Sequence, residues 1–240
     1  PAFILVCSAL AAHLAGLVIY TAAAGHVPVH NLSQSLSLSA LAIGGMFVFF
    51  QYRFDLKILG VFAAILLTSV MTMVWILPDA PVEKNEALKG FWFYSHIVMV
   101  FGGNAALALA CGTGILYLLQ EQGIKSKSPG FFFKRLPSLD FLDSAGHTCL
   151  AVGFALLSIG LVTGFIYARA IWGRFWSWDP KELFSVATWL IYAALLHFRF
   201  HSGWRGRKSA VMTIVGFGVI LFTFLGVNLL LGGHHQEFTK

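Results

Sequence analysis

Seven apolar runs constrain this 240-residue chain more than any other feature, at roughly 2–23, 34–52, 56–77, 92–119, 147–170, 182–201 and 209–231. A helix rises 1.5 Å per residue, so about 20 apolar residues cross about 30 Å of hydrocarbon. The runs are continuous rather than ten-residue alternations, which excludes a transmembrane β-barrel. Only 11% of the residues are charged and 58% are hydrophobic, whereas a soluble domain carries roughly 25% charge. A soluble enzyme, a disordered chain and a disulfide-stapled secreted domain are excluded. The expectation is all-α: one polytopic helical domain over 1–240, with about seven transmembrane helices in a lipid bilayer.

The formal charge of +6 does not form one basic patch, so nucleic acid is not an expected partner. With the N-terminus inside, the inner connections hold Arg53, Lys57, Lys125, Lys127, Lys134, Arg135, Arg199, Arg205, Arg207 and Lys208. The outer side holds six basic residues against these ten. Basic residues favour the inner side. The reading therefore places 24–33, 78–91, 171–181 and the tail 232–240 outside. The inner connection 120–146 is the longest, and Phe131–Arg135 within it reads as an interfacial segment, with rings beside a basic pair. The chain begins at Pro1, not Met, so its first residues carry no information on a signal peptide.

The outer stretch 171–182, Ile171-Trp172-Gly173-Arg174-Phe175-Trp176-Ser177-Trp178-Asp179-Pro180-Lys181-Glu182, is the most unusual. An aromatic belt needs rings near helix ends, not three indoles within seven residues of one loop. Pro180 suits the first turn of the sixth helix and Asp179 its N-cap. The indoles suit a large planar ligand. The polar residues either reach its carboxylate edge or close the loop on itself.

Of nine histidines, His26, His30, His96, His234 and His235 share the outer side with this loop. Imidazole is a good haem-iron ligand, and His96 with His234 or His235 could flank a haem on the tryptophan platform. A lone His at a helix end is otherwise an ordinary polar cap. His197, late in span six, and His13, mid-span one, are candidates for an inner ligand; for His13 a helix-to-helix hydrogen bond is the simpler reading. His147 and His201 read as interfacial.

No nucleophile elbow, P-loop, zinc-protease or dinucleotide motif is present. Cys7, Cys111 and Cys149 are isolated and read as buried structural thiols. Gly102-Gly103, Gly160 and Gly164 read as sites of close helix packing.

Trp172-Gly173-x-x-Trp176-x-Trp178-Asp179-Pro180-Lys181-Glu182 resembles the WWD signature of haem-handling proteins in cytochrome c assembly. Ser185–His197 and Gly203-Trp204-Arg205-Gly206 look like the CcsA/ResC branch, the integral-membrane half of the system II cytochrome c synthase. Further agreement lies at Gly25-His26-x-Pro28-x-x-Asn31, at Phe93-x-x-His96 and at Gly226–Leu229, ending in Gly233-His234-His235.

The resemblance implies haem export or presentation, and attachment of haem b to the CxxCH cysteines of an apocytochrome c. It implies His96 and His235 as the external iron ligands, His197 as a transmembrane ligand, and Trp172, Trp176, Trp178 and Asp179 as haem-binding residues. The family's end is Gly-Leu-His-Ser-like; here it reads Gly233-His234-His235-Gln236, and His235 is the favoured ligand. Implied partners are a CcsB/ResB-like membrane subunit and thiol-reduction proteins. The implied location is a bacterial cytoplasmic membrane or a thylakoid membrane, with the WWD loop and C-terminus on the outer or lumenal face. The competing readings are a b-type cytochrome for electron transfer and a HemX-like scaffold of tetrapyrrole synthesis.

Overall fold

A computed structural model describes residues 2–55, 57, 59–77, 88–126 and 136–226. Its helices are α1 (Ala2–Ala24), α2 (Leu32–Phe54), α3 (Leu59–Ile76), α4 (Phe91–Lys125), α5 (Leu139–Trp172), α6 (Pro180–His201) and α7 (Arg207–Leu221). One π turn, Phe222–Gly226, continues α7. There is no strand among the described residues. All seven helices, α7 counted with its π turn, are long and apolar enough to cross a membrane, as the sequence predicts. The chain is a polytopic helical membrane protein.

The ends of two helices depart from the apolar runs. α4 continues six residues beyond 119, and α5 starts eight residues before 147. The expected inner connection 120–146 is correspondingly shorter. Polar contacts carry these extensions. Glu121 on α4 pairs with Lys125 at 2.7 Å and with Arg207 of α7 at 3.0 Å. Ser138 caps α5, its hydroxyl accepting from the Phe141 N–H. An apolar window does not register such amphipathic ends. The expected interfacial segment Phe131–Arg135 lies outside the described residues.

α4 and α5 form the central pair because small residues let their backbones meet. A Cβ on Gly103 would stand 2.9 Å from the Leu157 main-chain nitrogen, and one on Gly153 2.7 Å from Leu107 Cγ. Close backbone approach is a chief source of helix association where lipid offers no hydrophobic contrast. Leu107, Leu109, Cys149 and Leu150 fill the seam, with Tyr192 and Leu195 of α6 against it. Cys111 and Cys149 are buried thiols and Cys7 is half-buried.

Polar contacts tie the other helices on. His13 Nε2 meets Ser37 Oγ at 2.9 Å, joining α1 to α2. Trp189 of α6 donates its indole N–H to Ser158 Oγ of α5 at 2.8 Å and stacks on Phe154. At the opposite end of α6 from Pro180, the buried Arg199 guanidinium grips Asp143 of α5 through two bonds, of 2.7 and 2.9 Å. Asp143 also accepts the Gly206 N–H, and Arg199 reaches Ser209 of α7. Arg199, counted in sequence among the loop cations, is thus a buried fastener of three helices.

Candidate functional site

α5 ends where Gly173 adopts φ +71°, its N–H returning to the Arg169 carbonyl. That left-handed turn costs glycine nothing sterically. The Arg169 guanidinium donates to the Gly173 carbonyl and lies over the Phe175 ring. The chain then crosses to α6 in a short loop closed on its own polar groups. Glu182 Oε2 accepts from the Ser177 N–H at 2.8 Å and the Asp179 N–H at 3.4 Å, and Oε1 accepts from Ser177 Oγ. Asp179 Oδ1 accepts from the Lys181 N–H at 2.8 Å. Asp179 and Glu182 form a capping box around Pro180 at the first turn. Asp179 and Glu182 thus close the loop on itself. Asp179 is the N-cap, only 4% exposed.

Trp178 precedes the cap with φ +61°, one of two non-glycine residues with positive φ among the described residues. The left-handed region costs an L-residue roughly 1–2 kcal/mol. Its indole is nonetheless 78% exposed. Trp176 meets Trp178 edge-on, centroids 5.6 Å apart, and tilts over Phe165 of α5 at 6.0 Å. Trp172 meets Tyr167 edge-on at 6.5 Å. The three indoles are therefore not one stack. They form a staggered apolar wall held by α5 rings.

Behind that wall lies a cavity of about 260 Å³ between α4, α5, α6 and the π turn. His96, Phe93 and Asn104 line it from α4, Gly164, Phe165 and Trp172 from α5, and Lys181, Ser185 and Thr188 from α6. Thr223 and Phe224 of the π turn close it; such turns are frequent at functional sites. Val29 and Leu88 bring the connections before α2 and α4 to the same mouth. So the three connections expected outside do gather at one end of the bundle.

His96 is fixed by α5. Its Nδ1–H donates to the Gly160 carbonyl at 2.7 Å. The carbonyl only accepts, so the proton is on Nδ1 and the ring lone pair is on Nε2. A Cβ on Gly164 would stand 2.7 Å from His96 Cε1 and Nδ1. Gly164 thus makes room for the imidazole. Phe93, one turn earlier, packs on Tyr167 at 5.3 Å and sets that face of α4 inward.

The cavity brings His96 together with Trp172, and Trp176 reaches it through Phe165. It does not include His197. Seventeen residues separate His197 from Pro180, about 26 Å along α6. His197 lies on the exposed face of α6, stacked on His201 with centroids 4.4 Å apart. His234 and His235 lie outside the described residues. His26 and His30 pack edge-on at 4.2 Å, both Nδ1 atoms on the Val27 carbonyl at 3.2 Å. Burial, and secondarily the neighbouring His26, hold the His30 imidazole below its ordinary pKa. Lys181, Phe165, Tyr167 and Gly164 line the site without having been singled out as ligand-binding residues in sequence. The signal for Gly164 was its i+4 spacing from Gly160.

Residues 29–235 match the sequence pattern of the cytochrome C assembly protein family. The chain is 32% identical to the cytochrome c biogenesis protein CcsA of Chlamydomonas reinhardtii, over 88% of this chain and 61% of that protein. It is 33% identical to a CcsA of Prochlorococcus marinus, over 88% of this chain and 76% of the relative. For the CcsA of Chlorella vulgaris the figures are 30%, 95% and 83%. The chain belongs to the cytochrome c assembly protein family. It spans about three fifths of the length of the Chlamydomonas relative.

Proposed function

We propose that this protein binds haem b at the mouth of the α4–α5–α6 cavity and presents it for attachment to apocytochrome c in system II cytochrome c biogenesis. The observation that carries the reading is His96. It lines the cavity beside Trp172 and holds its proton on Nδ1, against a main-chain carbonyl, so that Nε2 is the ligating nitrogen. Metal-ligating histidines commonly have such a partner on the other nitrogen. His96 is the single histidine lining the cavity among the described residues, which favours presentation over a b-type cytochrome with facing helix ligands.

The donor set suits the cargo. A tetrapyrrole is too large to be enclosed in about 260 Å³, so Trp172 and, through Phe165, Trp176 would hold the part of the ring left outside the cavity. His235 of the tail would supply a second imidazole for the iron. Trp178 and Asp179 shape the loop that covers the ring. His197, on the exposed face of α6, serves haem in transit with a CcsB/ResB-like membrane subunit. At the outer site each cysteine S–H of a CxxCH segment adds across a haem vinyl group. The S–H bond and the vinyl π bond break, sulfur bonds to one vinyl carbon and the proton with the π electron pair forms a C–H bond on the other, and no net oxidation occurs. The thiols must arrive reduced, which calls for thiol-reduction proteins. The chain's own task is orientation and control of the iron. The membrane is a bacterial cytoplasmic or thylakoid membrane, with the WWD loop and C-terminus on its outer or lumenal face.

The test is co-expression with the partner subunit and a CxxCH reporter, read as covalently attached haem. His96→Ala and His235→Ala should each abolish or sharply reduce attachment at unchanged membrane level. Full attachment in both variants would overturn the external-ligand reading.

A further inference from the structure

The connection between α1 and α2 carries a pair of histidines that the haem-binding reading does not use. The His26 and His30 rings pack edge-on with centres 4.2 Å apart. Nδ1 of each lies 3.2 Å from one shared acceptor, the Val27 carbonyl. A carbonyl only accepts, so both protons sit on Nδ1 and both lone pairs on Nε2. Neither Nε2 has a hydrogen-bond partner among the described residues, and neither is sealed from solvent. The surrounding bonds hold the pair in place from both helices. The His30 N–H donates to Gln34 Oε1 at 2.9 Å, and the Gln34 amide donates to the Tyr20 hydroxyl at 2.8 Å. The Tyr20 ring in turn meets His26 edge-on at 5.9 Å.

We infer that His26 and His30 form a two-imidazole site for a divalent late transition metal ion, zinc or copper. A main-chain carbonyl on the second ring nitrogen is the usual partner of a metal-ligating histidine, and here one carbonyl serves both rings. Neutral imidazole suits these ions, whereas magnesium and calcium want oxygen. Zinc–nitrogen bonds of about 2.0–2.1 Å let one ion reach nitrogens up to about 4 Å apart, the scale of the ring spacing here. No group of three or more histidine, cysteine or acidic ligands occurs among the described residues. The chain therefore supplies two ligands and water completes the shell. The ion has a structural consequence. Val29, between the two histidines, packs with Leu88 and Phe93 and lines the mouth of the cavity. Metal bound by both imidazoles clips the connection shut and holds Val29 there. The site is separate from His96 and does not depend on the haem-binding reading.

The experiment uses the untagged full chain in detergent, treated with a chelator, with zinc ion as the probe and hydrogen exchange as the readout. At a free zinc concentration about ten times its Kd, protection factors over 25–34 should rise about tenfold. An ion held only by the ordered arrangement divides the local opening constant by that factor. Copper should give the same gain at lower concentration, and magnesium should give none. His26→Gln and His30→Gln should each lose the gain. His197→Gln should keep it, although His197 and His201 form a second stacked pair. Unchanged protection of α4 and α5 without metal shows that the variants are folded. No gain with zinc in wild type, an equal gain with magnesium, or a full gain in both His26→Gln and His30→Gln would overturn the inference.

Discussion

His96 and Gly164 share one space: the imidazole of α4 occupies the position where a side chain on residue 164 of α5 would begin, 2.7 Å from two ring atoms. Four residues earlier, the Gly160 carbonyl accepts the same ring's Nδ1–H. One face of α5 thereby sets the place, orientation and tautomer of the histidine.

Gly164→Ala should displace the imidazole and break its bond to Gly160. Overpacking a tight contact costs about 1–3 kcal/mol, and the loss should appear chiefly at the haem site. Haem content per protein should fall, with partial recovery on added imidazole. Gly218→Ala, where a Cβ meets nothing within 4 Å, should leave haem content unchanged.

Trp178 combines a left-handed backbone with an exposed indole. Replacement by Gly should relieve strain of about 1 kcal/mol and raise thermal stability slightly. The same change should lower reporter haemylation, because the covering indole is gone. Unchanged haemylation would reduce Trp178 to a membrane-interface residue.

The Arg199–Asp143 pair is buried and doubly bonded. Removing one partner leaves a buried charge and should cost about 3–5 kcal/mol. Arg199→Met or Asp143→Leu should therefore lower the melting temperature in detergent far more than Lys57→Ala, whose pair is exposed. The double replacement should recover much of the loss.

His30 gives the connection before α2 a pH dependence of known sign. Burial and His26 lower its pKa in the folded protein below 6.5, while the Val27 carbonyl opposes this. Below 6.5 the unfolded segment binds the proton more readily, so local stability falls as pH drops through this window and is fully present above it. Hydrogen-exchange protection factors over 25–34, with the intrinsic pH dependence of exchange divided out, should fall between pH 6.5 and 5. His30→Gln should flatten that dependence.

The order of the helices was legible because lipid demands long apolar runs, and the Asp179-Pro180 helix start because caps are local chemistry. The ends of α4 and α5 that flank 120–146 were not, since Glu121 is held there by Lys125 one turn on and by Arg207, a contact distant in sequence. The partnership of His13 with Ser37 fits the modest reading of that histidine. For the site, His96 and Trp172 were readable as types and do line one cavity. The staggering of the indoles and the orientation of Lys181 depend on where α6 packs against α5, which no spacing reveals. His197 was placed correctly along α6, but its exposed face is set by the bundle.

The most direct test of the account is the reduced absorption spectrum of the detergent-purified protein, wild type beside His96→Ala. The account predicts a low-spin b-type spectrum in wild type, lost or weakened in the variant and restored by imidazole. An unaltered spectrum in His96→Ala would contradict the placement of haem at this cavity.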